Sequence, residues 1–237
     1  MNPHTRNLLK MFGDVSYSRH TWDVFRDFLE LAAISFAVVD LAQREKREAR
    51  YLQVIKGYEP DEAAKFPRIL GELVLAMELE PADVLGQVYM ELGLGSKWHG
   101  QFFTPDCICD LMAAMVFDKK QTRAAIADRG FITLQEPAVG GGAMVIGFCK
   151  AMKAAGFNYQ RQLHVTAVDV DEKAVHMAYL QLSLLHVPAV IVVGNTLTLE
   201  QRAVWYTPAH IFGGWNFKLR TRPLQMAAPA TREKVAA

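Results

Sequence analysis

Thr133-Leu134-Gln135-Glu136-Pro137-Ala138-Val139-Gly140-Gly141-Gly142-Ala143-Met144 is a short extended run that stops at a carboxylate, turns through three glycines and enters an apolar helical pattern. Glycines permit a tight turn and remove the Cβ atoms that would hold backbone N–H groups away from a ligand. The helix that follows offers the positive end of its dipole. The stretch has the form of a site for a nucleotide-like cofactor.

The flanking sequence repeats the theme. Phe131 to Leu134 opens the run, and a helix is expected from about 143 to 155, closed by Gly156. Leu163-His164-Val165-Thr166-Ala167-Val168 is a second apolar strand, ending on Asp169-Val170-Asp171, with a helix expected from about 172 to 185. Asp171, directly before Glu172, reads as that helix's N-cap. Ala189 to Val193 is a third strand leading into Gly194-Asn195-Thr196-Leu197. Strand, helix, strand, helix, strand predicts a parallel sheet with right-handed crossovers, whose ligands bind at the carboxyl ends of the strands. Tyr206 to Trp215 offers one more short strand, and the Ala-, Pro- and Arg-rich end reads as a frayed tail.

The identity of the ligand turns on the carboxylate. A dinucleotide turn wants Gly-x-Gly-x-x-Gly against a pyrophosphate, whereas Glu136 ahead of Gly140, Gly141 and Gly142 would repel phosphate and attract an ammonium. An amino group, a ribose and no phosphate describe S-adenosylmethionine. In that reading Glu136 lies near the methionine amino group, Asp169 accepts hydrogen bonds from the ribose hydroxyls, and Asn195 meets the adenine edge.

Ahead of this core the pattern is helical. Trp22, Phe25, Phe28, Leu29, Ala32, Ala33, Phe36 and Val39 predict one helix over about 18–50, its charged tail from Gln43 to Arg50 solvated. Gly57 and Pro60 break the chain, and Asp61-Glu62 opens a second helix through Ile69, Leu70 and Leu73. A third helix is expected from about Pro81, with Val84, Leu85, Val88 and Leu92 on its apolar face, ended by Gly93 and Gly95. Beyond it, Thr104 is suited as N-cap and Pro105 as first residue of a helix that carries the apolar stretch Ile108 to Phe117.

With 26 Lys and Arg against 25 Asp and Glu, composition announces no nucleic-acid binder, so any basic surface must be local. Cys107, Cys109 and Cys149 are odd in number and have no Cys-x-x-Cys spacing, which argues against a disulfide framework and a structural zinc site and points to a reducing compartment. The start, Met-Asn-Pro-His-Thr-Arg, has no signal-peptide pattern, and the longest apolar candidate, Leu29 to Leu41, is broken by Glu30 and Asp40. A cytoplasmic protein with no metal and no membrane segment is expected.

These residues resemble the adenine-N6 DNA methyltransferases, most closely the methylation subunits of type I restriction-modification systems. Asp83-Val84-Leu85-Gly86-Gln87-Val88-Tyr89 and Gly100-Gln101-Phe102-Phe103-Thr104-Pro105 are similar to the family's helix and Gly-Gln-Phe/Tyr-Phe/Tyr-Thr-Pro motif. Glu136 to Gly142 is similar to Asp-Pro-Ala-Cys-Gly-Ser-Gly, Ala167 to Asp171 to Gly-Ile-Asp-Ile-Asp, and Gly194 to Leu197 to Gly-Asp-Thr-Leu. The resemblance spans roughly residues 80–198. It implies an α/β fold, with a class I S-adenosylmethionine-dependent (Rossmann-like) core in shortened form and an N-terminal helical subdomain. The expected division is a helical subdomain at 1–98, the cofactor-binding core at 99–222 and a disordered tail at 223–237. The implied cofactor contacts are Phe102, Phe103, Thr104, Glu136, Ala138, Gly140, Gly142, Asp169, Val170 and Asn195, and the implied substrate is DNA.

One family element is missing. The catalytic Asn/Asp-Pro-Pro-Tyr/Phe motif, whose acceptors free the lone pair of the adenine amine for attack on the cofactor methyl, should follow the third strand, yet the chain contains no Pro-Pro. Trp215-Asn216-Phe217 places an amide between two aromatics at about the right distance, although a structural role is expected of it. Two further readings therefore stand beside the DNA methyltransferase: a cofactor-binding regulatory or partner subunit that does not transfer methyl, and a methyltransferase acting on RNA or a small molecule. A sheet of three or four strands also leaves an open edge to cover, so a homo-oligomer or a partner subunit is expected.

Overall fold

The computed structural model of the protein describes residues 2–15, 19–94 and 104–220. Four strands form one sheet in the order β1 (Ile132–Glu136), β2 (Leu163–Asp169), β3 (Ala189–Asn195), β4 (Glu200–Tyr206). The first three are the expected parallel strands, with Glu136 beside Ala167 and Asp169 beside Val193. β4 turns back antiparallel on β3, with a register shift between Val193 and Gly194. A Cβ on Gly194 would stand 2.3 Å from the Glu200 carbonyl oxygen, so this hairpin needs a glycine. The fourth strand thus lies earlier than the sequence reading put it. At 207 the chain leaves the sheet: the Thr207 hydroxyl accepts from the His210 N–H, Pro208 follows, and a short helix begins where a strand was expected.

The N-terminal part is helical, in more pieces than expected: α1 (Pro3–Val15), α2 (Thr21–Phe36), α3 (Arg44–Ile55), α4 (Pro60–Ala63), α5 (Lys65–Leu79) and α6 (Val84–Glu91). The single helix expected over 18–50 breaks at a 3-10 turn, Ala37–Val39, after which Asp40 accepts from Arg47 Nη1 at 2.9 Å and α3 folds back on α2. The remaining helices are α7 (Asp106–Val116), α8 (Lys119–Arg129), α9 (Ala143–Ala154), α10 (Tyr159–Gln162), α11 (Glu172–Leu184), α12 (Pro208–Phe212) and α13 (Trp215–Arg220). Among the described residues no helix is long and apolar enough to cross a membrane.

α11 is the centre of the molecule. Every residue from Ala174 to Ser183 is buried, because β2 and β3 cover one side of the helix and α2, α5 and α6 the other. One hydrophobic cluster consequently runs from Leu8 in α1 to Trp205 in β4. On the opposite face of the sheet, α12 and α13 cover only the amino ends of the strands. There His164 Nε2 and His210 Nδ1 lie 2.9 Å apart, and Trp215 packs 5.2 Å from His164 and 5.0 Å from Phe131. Thr133, Gln135 and Thr166, further along that face, are exposed.

Burial in this core has a pH consequence. His176, on α11 and edge-on to Trp205, is pushed down to about 4, chiefly by burial; Arg47 and Arg50 add to the shift, and Glu30 and Asp171 oppose it. A histidine depressed in the folded state contributes stability above its ordinary value near 6.5, and that contribution is lost as pH falls through about 4. The expected loss is on the order of 3 kcal/mol for His176. Urea unfolding of the protein and of His176→Phe at pH 7, 5 and 4 tests this: the variant should lose visibly less stability on acidification, and parallel losses would contradict the assignment.

Candidate functional site at the carboxyl ends of the strands

Glu136, Asp169 and Asn195 are the last residues of β1, β2 and β3, so the parallel sheet brings all three to one end. The glycine turn is fixed between them. Gly140 and Gly142 have φ of 52° and 100°, in the left-handed region that suits glycine, and Gly142 is the N-cap of α9. Asp169 holds the turn, its Oδ2 accepting from the Gly140 N–H and its Oδ1 from the Asp171 N–H, both at 2.9 Å. The Val139 N–H donates to the Val168 carbonyl, and the Thr196 hydroxyl to the Pro137 carbonyl at 2.6 Å. The turns after β1, β2 and β3 are therefore stitched together.

The electrostatics of this end are one-sided. Glu136 is half-buried, and its carboxyl is pushed upward chiefly by burial and further by Asp169, against the Ala138 N–H donated to its Oε1 at 3.2 Å. Among the described residues neither Glu136 nor Asp169 has a cation within ion-pair distance. Two adjacent carboxylates with backbone donors as their partners favour a ligand that brings a positive charge. A carboxylate offers about four acceptor positions, so Asp169 keeps capacity for two hydroxyl donors after its two backbone bonds. No cluster of metal-ligating side chains occurs among the described residues.

Asn195 is more constrained than the sequence suggested. Its Oδ1 accepts from the N–H groups of Leu197 at 2.9 Å and Thr198 at 3.3 Å, which orients the amide and leaves Nδ2, a donor, as its remaining group. Val170 is 58% exposed beside Asp169, and its carbonyl accepts from Arg202 of β4. Asp171 is the N-cap of α11, as expected, accepting from the Lys173 N–H at 3.0 Å.

A residue that the sequence did not mark connects this end to the helical part. Gln181, fully buried on α11, donates through Nε2 to Asp83 Oδ1 at 2.7 Å and to the Gly141 carbonyl at 2.8 Å, and its Oε1 accepts from the Leu85 N–H at 3.0 Å. Asp83 also caps α6 through the Gly86 N–H at 2.9 Å, and burial pushes its carboxyl upward. One amide thus ties α6 to the middle glycine of the turn.

The approach from α7 is only partly described. Phe102 and Phe103 lie outside the described residues. Thr104 is exposed and does not cap α7: Pro105 occupies the N-cap position, the helix starts at Asp106, and the Thr104 carbonyl accepts from Cys109 Sγ at 3.6 Å. The start of α7 is joined to α6 by Gln87 Nε2, which donates to Asp106 Oδ2 at 2.8 Å. Asn216 lies at the other end of the sheet, its Oδ1 3.2 Å from His210 Nε2 under the start of β2. A seven-residue strand spans about 20 Å, so Asn216 is remote from Glu136 and Asp169 and plays the structural part expected of it.

Comparison with known proteins gives one family. A family model described as N-6 DNA Methylase matches residues 82–211, more than half of the chain. No curated protein sequence matches. Among solved structures, a Listeria monocytogenes protein provisionally described as a class I S-adenosylmethionine-dependent methyltransferase is similar at a TM-score of 0.45 and 12% identity, over 92% of this chain and 71% of that one.

Proposed function

Because the chain belongs to the N-6 DNA methylase family, we propose that it binds S-adenosylmethionine across the carboxyl ends of β1, β2 and β3 and serves adenine-N6 methylation of DNA. The pair of carboxylates without a cation, Glu136 and Asp169, held beside a left-handed glycine turn at a helix N-terminus, carries this reading. Glu136 takes the cofactor's ammonium and Asp169 its ribose hydroxyls. Gly140 and Gly142 let the turn approach without side chains, Ala138 adds only a methyl there, and Val170 packs on the adenine face. By their place in the family motif, Phe102, Phe103 and Thr104 are assigned to the methionine part of the cofactor. Asn195, with Oδ1 already committed to its own turn, donates from Nδ2 to a ring nitrogen of adenine instead of accepting from the amino group. The bound cofactor supplies an electrophilic methyl group.

A second reading is carried by a separate observation. After β3 the chain returns antiparallel as β4, and no Pro-Pro occurs in the sequence, so the family's motif for activating an adenine amine has no counterpart in it. In that reading the chain is the cofactor-holding subunit of a methylation system and transfers no methyl by itself. One assay separates the two: incubation with labelled S-adenosylmethionine and DNA of mixed sequence, beside a calorimetric titration of the cofactor. Label in DNA at adenine N6 supports the transferase. Binding without label supports the subunit, label in RNA alone would move the substrate class, and no binding would remove both readings.

A further inference from the structure

We propose that two copies of this chain associate antiparallel through β1 and α7 into one continuous sheet. β1 closes the sheet on one side, with no strand beyond it among the described residues, so one row of its backbone N–H and C=O groups is unpaired. Edge strands are ordinarily blunted by lysine, proline, a bulge or an inward charge. Ile132-Thr133-Leu134-Gln135-Glu136 carries none of these before its last residue, and it pairs with β2 without a register shift.

One helix of this layer has no strand beneath it. α11 lies on β2 and β3, α8 and α9 both touch β1, and α7 packs on α9, with no comparable contact between α7 and any strand. On α7 the residues Ile108, Leu111, Met112, Met115 and Val116 recur at helical spacing and are 44–78% exposed. They form an apolar stripe with nothing beneath it among the described residues.

A second copy fits this surface by symmetry. A two-fold axis normal to the sheet sets Leu134 beside its counterpart and Thr133 beside Gln135 of the other copy, and it brings both α7 helices to the same face of the junction with their stripes towards each other. The Glu136 carboxylates fall at opposite ends, so no like charges meet across the strands. α7 begins with Asp106, which accepts from Gln87, and Asp110, which is paired with Lys150, and is followed by Asp118, Lys119 and Lys120; the two lysines are exposed and form no ion pair among the described residues. Antiparallel helices place the acidic start of each near the basic end of the other, with opposed dipoles. Covering both stripes removes about 1,000 Å² from water, the size at which specific association begins.

Sedimentation velocity of the full chain across the micromolar range tests the proposal, with hydrogen exchange of the β1 amides measured at the same concentrations. A reversible monomer–dimer equilibrium is expected, with slower exchange at 132–136 as dimer accumulates. Met115→Asp should raise the dimer dissociation constant roughly tenfold or more while the unfolding midpoint of the monomer stays unchanged. If that variant does not fold, the concentration dependence of exchange in the parent protein decides. A monomer throughout, a dimer indifferent to Met115→Asp, or β1 amides exchanging at one rate at all concentrations would overturn it.

Discussion

Asp169→Ala is expected to weaken S-adenosylmethionine binding by roughly 10- to 100-fold, since a hydrogen bond to a charged acceptor contributes about 1.5–3 kcal/mol. The carboxylate has two tasks: it accepts the Gly140 and Asp171 N–H groups, and it is the acceptor that the ribose would use. Two variants separate these tasks. Asp169→Asn keeps one acceptor oxygen for a backbone N–H but replaces the other with a donor, so it should hold the fold and lose most of the affinity. Asp169→Ala should lose affinity and also loosen the glycine turn, visible as faster amide exchange at Gly140. Equal affinity in the parent and both variants would mean that the ribose is not held here.

Gln181→Leu is expected to cost about 2–4 kcal/mol of stability, the largest single effect on the fold. Leucine fits the apolar surroundings of α11 but takes one partner from the Asp83 carboxylate, which keeps only the Gly86 N–H, and leaves the Gly141 carbonyl and the Leu85 N–H without theirs. The loss should depend on Asp83. A double-mutant cycle with Asp83→Asn, read by urea unfolding, should show strong non-additivity, because an uncharged side chain at 83 tolerates the missing donor better. Cofactor affinity should fall with stability, since Gly141 belongs to the turn. A loss below about 1 kcal/mol, typical of a surface position, would contradict this role.

The parts of the fold that were legible in the sequence share a physical cause. β1, β2 and β3 are short apolar runs that each end on a polar residue at the functional end, so the motif and the strand end coincide at Glu136, Asp169 and Asn195. β4 was misplaced because Glu200-Gln201-Arg202 is exposed and polar, with only Trp205 of its residues buried; what makes it a strand is pairing with β3. The break between α2 and α3 leaves no mark in the spacing: apolar positions run on through Val39, while the turn is fixed by the contact of Asp40 with Arg47. α1 and α8 lie outside the helices that the spacing predicts. α8 buries only Thr122, so no apolar face announces it, whereas α1 shows its spacing in Leu8, Phe12 and Val15.

The site was legible to the same degree. Its carboxylates and glycines follow from local sequence, but the connection through Gln181 joins residues 98 positions apart and gave only a faint signal, a lone amide within the apolar run of α11. The donor character of Asn195 depends on a turn that the sequence alone does not orient. Thr104, a good N-cap by type, does not serve as one because the chain enters α7 one residue later, through Pro105.

The central claim is that the cofactor sits on the glycine turn between Glu136 and Asp169. Backbone amide NMR of the protein titrated with S-adenosylmethionine tests it at the atoms concerned. Saturable shifts centred on the amides of Gly140, Gly141, Gly142, Asp171 and the turn after Asn195 are the predicted result. No shifts, or shifts confined to another part of the surface, would contradict it.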